Sequence, residues 1–520
     1  MTVTPTSPPS VPVAPPGVRT ATVATSVRGR ARAIATQRAI VDGDCTLTYA
    51  QLWDRVQRLA AWLHAQGVGH GDRVAVLSEN RHEYLQVVLA AGHLGAIVAC
   101  QNWRLAPAEL DHCVGLVTPV LVFTSERFAA SVPASIDRVM IFGAAFEAAL
   151  AAADVATLPD TLVDAEDPLL ILYTSGTTGL PKGAVISHRA QIVRNLVSRA
   201  EYGIDRHDAF VAWSPMYHMG GMEYSLGALM GGGTVFVVDG FDADRLVQLL
   251  RTEPLGWLLL MPGMVAELAA RLAREQVVPR SVKLCGVMAD LVAPEAIAAI
   301  TTRLGAPYAN TFGATETGNP PCSTNVVPVG VAPTRLSKEV SPYCEIRLCD
   351  ATGRDVADGE PGELWIRGPT LFSGYWANAA ATAEAFADGW FHMGDVFVRN
   401  PDGTVDFVDR VKYLIKSGGE NIYPAEIERV IREVPGVTEV AVVRRPDPKW
   451  GEVPVAFVAT DDAAVTAEVV RTACRAALAG YKQPKGIEFI ALDEFPRSAS
   501  GKIQRQGLEP RARTSAPEPT

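Results

Sequence analysis

The 520-residue sequence contains no Cys-x-x-Cys pair, and its eight cysteines, at positions 45, 100, 113, 285, 322, 344, 349 and 474, are scattered. That excludes the ligand spacing of a structural zinc site and the framework of a disulfide-stapled domain, and it predicts reduced thiols in a cytoplasmic protein. No uninterrupted apolar run approaches the ~20 residues a membrane helix needs; Trp257–Met261 is apolar, but Pro262 and Gly263 follow at once. Integral membrane association is therefore not expected. Excess basic charge is also lacking. The net charge is −10, which argues against a nucleic-acid partner. The charge is uneven: residues 411–520 hold 16 Lys and Arg against 15 Asp and Glu, a net +1, so the remainder carries −11. The first 17 residues, rich in Pro, Thr, Ser and Val, have neither a basic stretch nor an apolar core of the kind a signal peptide carries. They read as a disordered tail, as do residues 510–520. There is no Gly-x4-Gly-Lys-Ser/Thr phosphate loop and no internal repeat.

What is present is a long α/β pattern. At this length, more than one domain is the prior, and 48% hydrophobic residues fit a globular chain. Thr48 and Gln51 have the spacing of a helix capping box. Leu52, Val56, Leu59 and Leu63 follow at helical intervals, with Gly67 where a terminating glycine belongs. A strand is predicted at 73–77 and a helix at 84–94. Further strands are expected at 234–238, 257–260 and 282–285. Such alternation implies α/β layers with largely parallel sheets. Near residue 340 the pattern changes to short strands at 345–348, 362–367 and 404–408, suggesting a small β-rich subdomain. Pro424 then opens a helix with the stripe Ile427, Val430, Ile431 and Val434. Strands at 437–444 and 453–459 and a helix at 467–478 complete a small α+β unit. The domains are drawn at 18–410 and 411–509, flanked by the two tails.

The segment Tyr173-Thr-Ser-Gly-Thr-Thr-Gly-Leu-Pro-Lys-Gly183 follows the apolar run 169–172. Its glycines let backbone N–H groups turn toward an anion, its hydroxyls add donors, and Lys182 adds a point charge for a polyphosphate. By itself such a stretch is also what a flexible surface turn looks like. Four more segments follow: Asn310-Thr-Phe-Gly-Ala-Thr-Glu316; Trp390-Phe-His-Met-Gly-Asp395; Asp409-Arg-Val-Lys412 with Ser417-Gly-Gly-Glu-Asn421; and Pro496-Arg-Ser-Ala-Ser-Gly-Lys502. Together and in this order they resemble the signatures of the adenylate-forming superfamily, which comprises acyl-CoA synthetases, peptide-synthetase adenylation domains and luciferases. The resemblance runs from about Val18 to Leu508 and is strongest to acyl-CoA synthetases.

The resemblance implies an acid–CoA ligase. ATP and a carboxylic acid give an acyl-adenylate and pyrophosphate, and CoA then takes the acyl group and releases AMP. The alternatives left open are loading of a carrier protein and an inactive nucleotide-binding relative. By the same resemblance, Thr174, Ser175, Gly176, Thr177, Thr178 and Lys182 hold the outer phosphates, and Glu316 helps bind Mg2+. Asn310, Thr311, Phe312 and Gly313 line the adenine side, with Phe312 in the place of a stacking ring that is usually Tyr, and Thr315 meets the α-phosphate. Asp395 accepts from the ribose hydroxyls, and Arg410 approaches the ribose or phosphate. Lys502 bridges the acyl carboxylate and the α-phosphate. Lys412 is the pivot about which a small domain turns between half-reactions, bringing Gly418 and Gly419 to the thiol. Lys416 stands where luciferase-like members carry a second lysine, with an auxiliary role at most. The alignment of the segment 285–290 is left open.

The same resemblance implies an acid without an α-amino group, because the region Met216-Tyr-His-Met-Gly-Gly-Met222 lacks the aspartate that meets an α-ammonium in peptide-synthetase domains. His218 reads either as an aromatic gate beside the reacting carboxylate or as a core histidine satisfied by backbone. Met216, Met219, Met222 and Met288 suggest an adaptable apolar pocket, suited to a medium-chain, aromatic or bulky alicyclic acid. The chain ends soon after Lys502, leaving no room for a fused carrier domain, so free CoA is the expected acceptor. A homodimer is the one assembly left open.

Overall fold

The computed structural model describes residues 17–174, 180–417, 420–497 and 503–514. Ser175, Gly176, Thr177, Thr178, Gly418, Gly419 and Lys502 lie outside the described residues, as do residues 1–16 and 515–520. The chain divides into two compact units.

The first unit holds residues 17–336 with 341–344 and 368–384. Its capping box forms as the spacing implies: Thr48 and Gln51 exchange side-chain and backbone bonds at the start of the helix Tyr49–Ala65. One sheet runs in the order Val139–Ile141, Leu121–Thr124, Arg73–Leu77, Ile97–Cys100, Pro168–Thr174, Lys182–Ser187. It is parallel except for the last pair, an antiparallel hairpin. A second sheet runs Val326–Val327, Tyr308–Ala309, Ser281–Cys285, Pro254–Leu258, Ala209–Ala212, Val235–Val237, Arg38–Asp42, Cys45–Thr48, parallel in its centre and antiparallel at both edges. Central strands such as Ala209–Ala212 are buried along their whole length, the reason their sequences run apolar rather than alternating. The strand expected at 257–260 starts earlier, at Pro254, and ends at Leu258. Beyond it the Leu259 carbonyl accepts from the Trp213 indole N–H at 2.9 Å.

The second unit holds 337–340, 345–367 and the described residues from 385 onward. It takes in both the short strands and the α+β segment. An antiparallel sheet is built from Glu345–Cys349, Pro361–Arg367, Trp390–Arg399, Phe386–Ala387 and Val405–Arg410. Another contains Glu420–Ile422, Ile415–Ser417, Gly451–Thr460 and Val437–Asp447, with Ile487–Phe489 added in parallel. The helix Pro424–Arg432 buries Ile427 and Ile431 in one core with Val442 and Val458. Val443, Phe457, Leu508 and Ala512 form another. Here the structure corrects the tail drawn from Pro510. Glu509–Thr514 is a helix because Leu508 and Ala512, four residues apart, both bury and Arg444 pairs with Glu509 at 3.1 Å. Pro510 falls in the first turn, where its missing N–H costs nothing.

Candidate active site

In the first unit two of the phosphate-binding candidates, Thr174 and Lys182, are described, and both belong to one antiparallel pair of strands. They lie at the ends of those strands and are register partners. Lys182 Nζ lies 5.1 Å from the centre of the Tyr375 ring. The Tyr375 hydroxyl donates to Glu316 Oε1 at 2.9 Å. Two segments more than a hundred residues apart in sequence thus meet through a tyrosine that the sequence analysis missed. Burial, with the neighbouring Glu316 carboxylate adding to it, pushes the Tyr375 phenol well above its ordinary range, so it stays a donor at neutral pH. Tyr375 is held by the antiparallel bridge to Ala184, by Trp376 N–H to Gly183 O at 2.8 Å and by its own N–H to Thr382 Oγ1 at 2.9 Å.

The segment 310–316 leaves its strand at Ala309 and is fixed by short-range bonds. Asn310 Nδ2 donates to Leu336 O at 3.2 Å. Phe312 N–H donates to Ser323 Oγ at 2.8 Å, and that hydroxyl donates back to Phe312 O at 3.1 Å. Thr311 Oγ1 accepts from Met288 N–H at 2.9 Å, which puts the segment 285–290 beside this motif. Met288 itself sits at φ 50°, an uncommon conformation for a non-glycine residue. Gly313 is required by space: a Cβ there would lie 2.3 Å from Gly318 O. Phe312 and Thr315 are half-buried, while Glu316 is 9% exposed.

His218 caps the helix Met219–Gly231, its Nδ1 accepting from Gly220 N–H at 3.3 Å. It is half-buried. The loop before it is organised by buried Asn80, which donates to Ala212 O and Ser214 O, both at 2.9 Å, and accepts from Met216 N–H at 2.7 Å. Met216, Met219 and Met222 are buried.

In the second unit Asp395 is 1% exposed. It faces Arg410 across the ladder and accepts from Arg410 Nε at 2.9 Å. Asp409 accepts from the backbone N–H groups of Arg410 and Ala425, both at 2.7 Å. Burial pushes its carboxyl up. Lys412 lies in the short turn Val411–Tyr413 with its ammonium 4.9 Å from the Tyr413 ring centre. The Arg505 guanidinium lies 4.6 Å from the same ring centre and pairs with Glu428 at 2.6 Å. Flanking Lys502, Arg497 and Ile503 form an antiparallel bridge, Gln504 N–H donates to Pro496 O at 2.7 Å, and Arg497 pairs with Glu439 at 2.7 Å.

As a metal ligand, Glu316 offers one carboxylate with Tyr375 on Oε1. That fits Mg2+, a hard cation that takes one or two carboxylates and completes its shell with phosphate oxygens and water. Among the described residues, Asp42, His82 and Glu83 also gather three ligand atoms, but His82 and Arg81 already pair with their carboxylates.

The AMP-binding enzyme family model matches residues 27–376, and the model of the AMP-binding enzyme C-terminal domain matches residues 426–502. The chain belongs to the AMP-binding enzyme family. It is 35% identical to the indoleacetate–CoA ligase of Aromatoleum aromaticum over 476 residues, 89% of this chain and 92% of the relative. To a feruloyl-CoA synthase of an Amycolatopsis species it is 36% identical over 481 residues, 91% and 96% of the two chains. A solved structure, the o-succinylbenzoate–CoA synthetase of Bacillus subtilis with its acyl-adenylate intermediate, superposes with a TM-score of 0.80 at 25% identity, covering 93% of this chain and 97% of that one. The activity of this chain is accordingly ATP-dependent ligation of a carboxylic acid to CoA. No helix among the described residues is long and apolar enough to cross a membrane.

Proposed function

We propose that the acid activated is an aromatic carboxylic acid without an α-amino group. The named acids of the similar ligases support this, indoleacetate and ferulate both being aromatic. Consistent with it, Met219 and Met222 of the helix Met219–Gly231 are buried, and methionine adapts to varied apolar shapes. The eight free cysteines support a cytoplasmic location.

The observation that carries the catalytic assignment is the row Lys182, Tyr375, Glu316. It joins the cation meant for phosphates to the carboxylate meant for Mg2+. Joining a carboxylate to a phosphate brings two anions together, so the site must cancel charge and fix direction. In the first step a carboxylate oxygen attacks the α-phosphorus, and the bond to pyrophosphate breaks. Lys182 and the hydroxyls of Thr174, Ser175, Thr177 and Thr178 take the outer phosphates. Thr315 orients the α-phosphate, and Phe312 lies on the adenine. Glu316 holds Mg2+, which when bound neutralises phosphate charge. Asp395 accepts from the ribose hydroxyls and is itself oriented by Arg410. Lys502 is assigned the bridge between the two reacting anions. In the second step the CoA sulfur attacks the acyl carbonyl, AMP leaves, and the thiol proton passes to solvent. His218, at the start of its helix, borders the acyl carbonyl.

The test is pyrophosphate release with aryl, arylalkanoic, fatty and amino acids, with and without CoA. Release should be largest with an aromatic acid; release with amino acids alone would sink the assignment. Lys502→Ala should cripple adenylation yet leave thioester formation from supplied acyl-adenylate largely intact. Equal loss in both half-reactions would reject the role given to Lys502.

A further inference from the structure

Arg194 is the largest fully buried side chain among the described residues. Burying a guanidinium is costly unless its charge and donors are met. The helix His188–Tyr202 carries it inward, and four acceptors meet it. Nε donates to Thr370 O at 2.7 Å. Nη1 donates to Glu223 Oε2 at 3.2 Å. Nη2 donates to Thr315 O and to Glu316 O, both at 3.1 Å. Glu223 comes from the helix Met219–Gly231 and is 3% exposed. Burial pushes its carboxyl up and Arg194 opposes that shift. The backbone beyond Glu316 is shaped to the guanidinium. Gly318 sits at φ +66°, and a Cβ there would come within 2.7 Å of Arg194 Cδ.

The acceptors are not scattered. Two are the main-chain carbonyls of the residues assigned to the α-phosphate and Mg2+. A third, Thr370 O, begins the segment that delivers Phe372, whose N–H also donates to Glu316 O at 2.8 Å. Further along that segment, Tyr375 holds the Glu316 carboxylate. Ionic hydrogen bonds of this kind fix orientation as well as supply energy. An apolar pair of similar volume could fill the same space at little cost to stability.

We propose that Arg194, neutralised by Glu223, is a positioning residue of the adenylation step: it locks the Thr315–Glu316 main chain so that the Glu316 carboxylate is already aimed when nucleotide and Mg2+ arrive. It is fully buried and acts through Glu316, not on substrate. The inference rests on the assignment of Glu316 to Mg2+ and goes beyond it by naming what sets that carboxylate.

The experiment uses the full chain with Arg194→Met/Glu223→Met together and Arg194→Lys alone. ATP affinity is measured by calorimetry with Mg2+ and with EDTA. Adenylation is followed by pyrophosphate release, and thioester formation is followed from supplied acyl-adenylate. For a folded double variant the metal-free ATP affinity should stay within about twofold and the gain from Mg2+ should shrink. Adenylation kcat should fall about tenfold to a hundredfold, the scale of a small misplacement, while thioester formation persists. A wild-type response to Mg2+ and a wild-type adenylation kcat would overturn the inference. If the double variant does not fold, Arg194→Lys decides. It keeps the charge opposite Glu223 but loses the planar fork, so the same losses should appear at a smaller scale, and their absence in a folded protein overturns the inference. A wild-type chain that binds ATP with a gain from Mg2+ but releases no pyrophosphate with any acid would sink the choice of acid alone. The Arg194 inference is then judged on the Mg2+ term of ATP binding.

Discussion

Glu316 is more constrained than a lone metal ligand needs to be. Its carbonyl takes two hydrogen bonds and its carboxylate takes one from Tyr375. Tyr375→Phe removes one hydroxyl and leaves the ring under Lys182. A hydrogen bond to a charged group is worth about 1.5–3 kcal/mol, and the low end applies here because Tyr375 is only partly buried and water can take the place of its hydroxyl. Its loss frees Glu316 to take other rotamers. The Mg2+ concentration for half-maximal pyrophosphate release should therefore rise several-fold, up to roughly tenfold, with little change in melting temperature. A superimposable Mg2+ curve would remove Tyr375 from the metal's surroundings. Lys182 and Glu316 stand out as candidates in the sequence because they lie in short segments with recognisable order. Tyr375, Arg194 and Glu223 do not. A tyrosine between glycine and tryptophan, or an arginine within a helix, carries no local mark of what it touches. Only the fold brings Tyr375 onto Glu316 and turns Arg194 away from water. The one available signal was the oddity of Arg194 and Glu223, charges on helix faces that otherwise bury.

At the level of elements, the capping box, the helix from Pro424 and most strands follow from period and punctuation, which are local. Their ends shift where tertiary bonds intervene, as at Leu259, and the helix Glu509–Thr514 was missed because its apolar contacts are distant in sequence. One junction between elements yields a pH prediction. His188 is the first residue of the helix His188–Tyr202, and its Nδ1 accepts from Val23 N–H at 3.2 Å, at the start of the helix Val23–Ala33. That bond places the ring proton on Nε2, which is buried with no protein partner among the described residues. Burial pulls the imidazole down to about 4, and two helix N-termini beside it also disfavour a positive charge. The unfolded chain protonates this histidine near pH 6.5, before the folded one does. Stability is therefore at its full value above that pH and is lost as the pH falls from about 6.5 to about 4, by an amount on the order of 3 kcal/mol. Urea titrations across that window should show the decline. His188→Asn should be less stable at pH 7 but flatten the slope between pH 6.5 and 4; an unflattened slope would remove His188 as its source.

For the whole molecule, the order of five motif segments was enough to give the fold and the family, whereas the division into units was not fully legible. Residues 368–384 return to the first unit because Phe372 bonds Glu316 and Tyr375 bridges Ala184, long-range bonds that no window of sequence contains. We propose that the two half-reactions ask different groups to act in turn, Lys502 in the first and the region of Gly418 and Gly419 in the second, so that the segment carrying both turns about a point that precedes them in the chain. We assign the pivot to Lys412. It lies in the turn Val411–Tyr413, which is closed by Leu414 N–H to Val411 O at 3.2 Å, a bond in which the Lys412 N–H takes no part. Such turns have φ near −50 to −70°, and proline fixes φ at about −65°. Lys412→Pro should therefore be accepted by this backbone and hold it there. If this is the arrangement in which Lys502 acts, acid-dependent exchange of pyrophosphate into ATP should persist while CoA-thioester output falls by about two orders of magnitude or more, the two measured on the same preparation. Lys412→Ala is the control: it removes the ammonium above the Tyr413 ring but leaves φ free, so it should retain both activities far better than the proline variant. Equal thioester rates in the two folded variants would show that rotation at residue 412 is not required, and the pivot would then have to be sought elsewhere in the chain between Arg410 and Leu414.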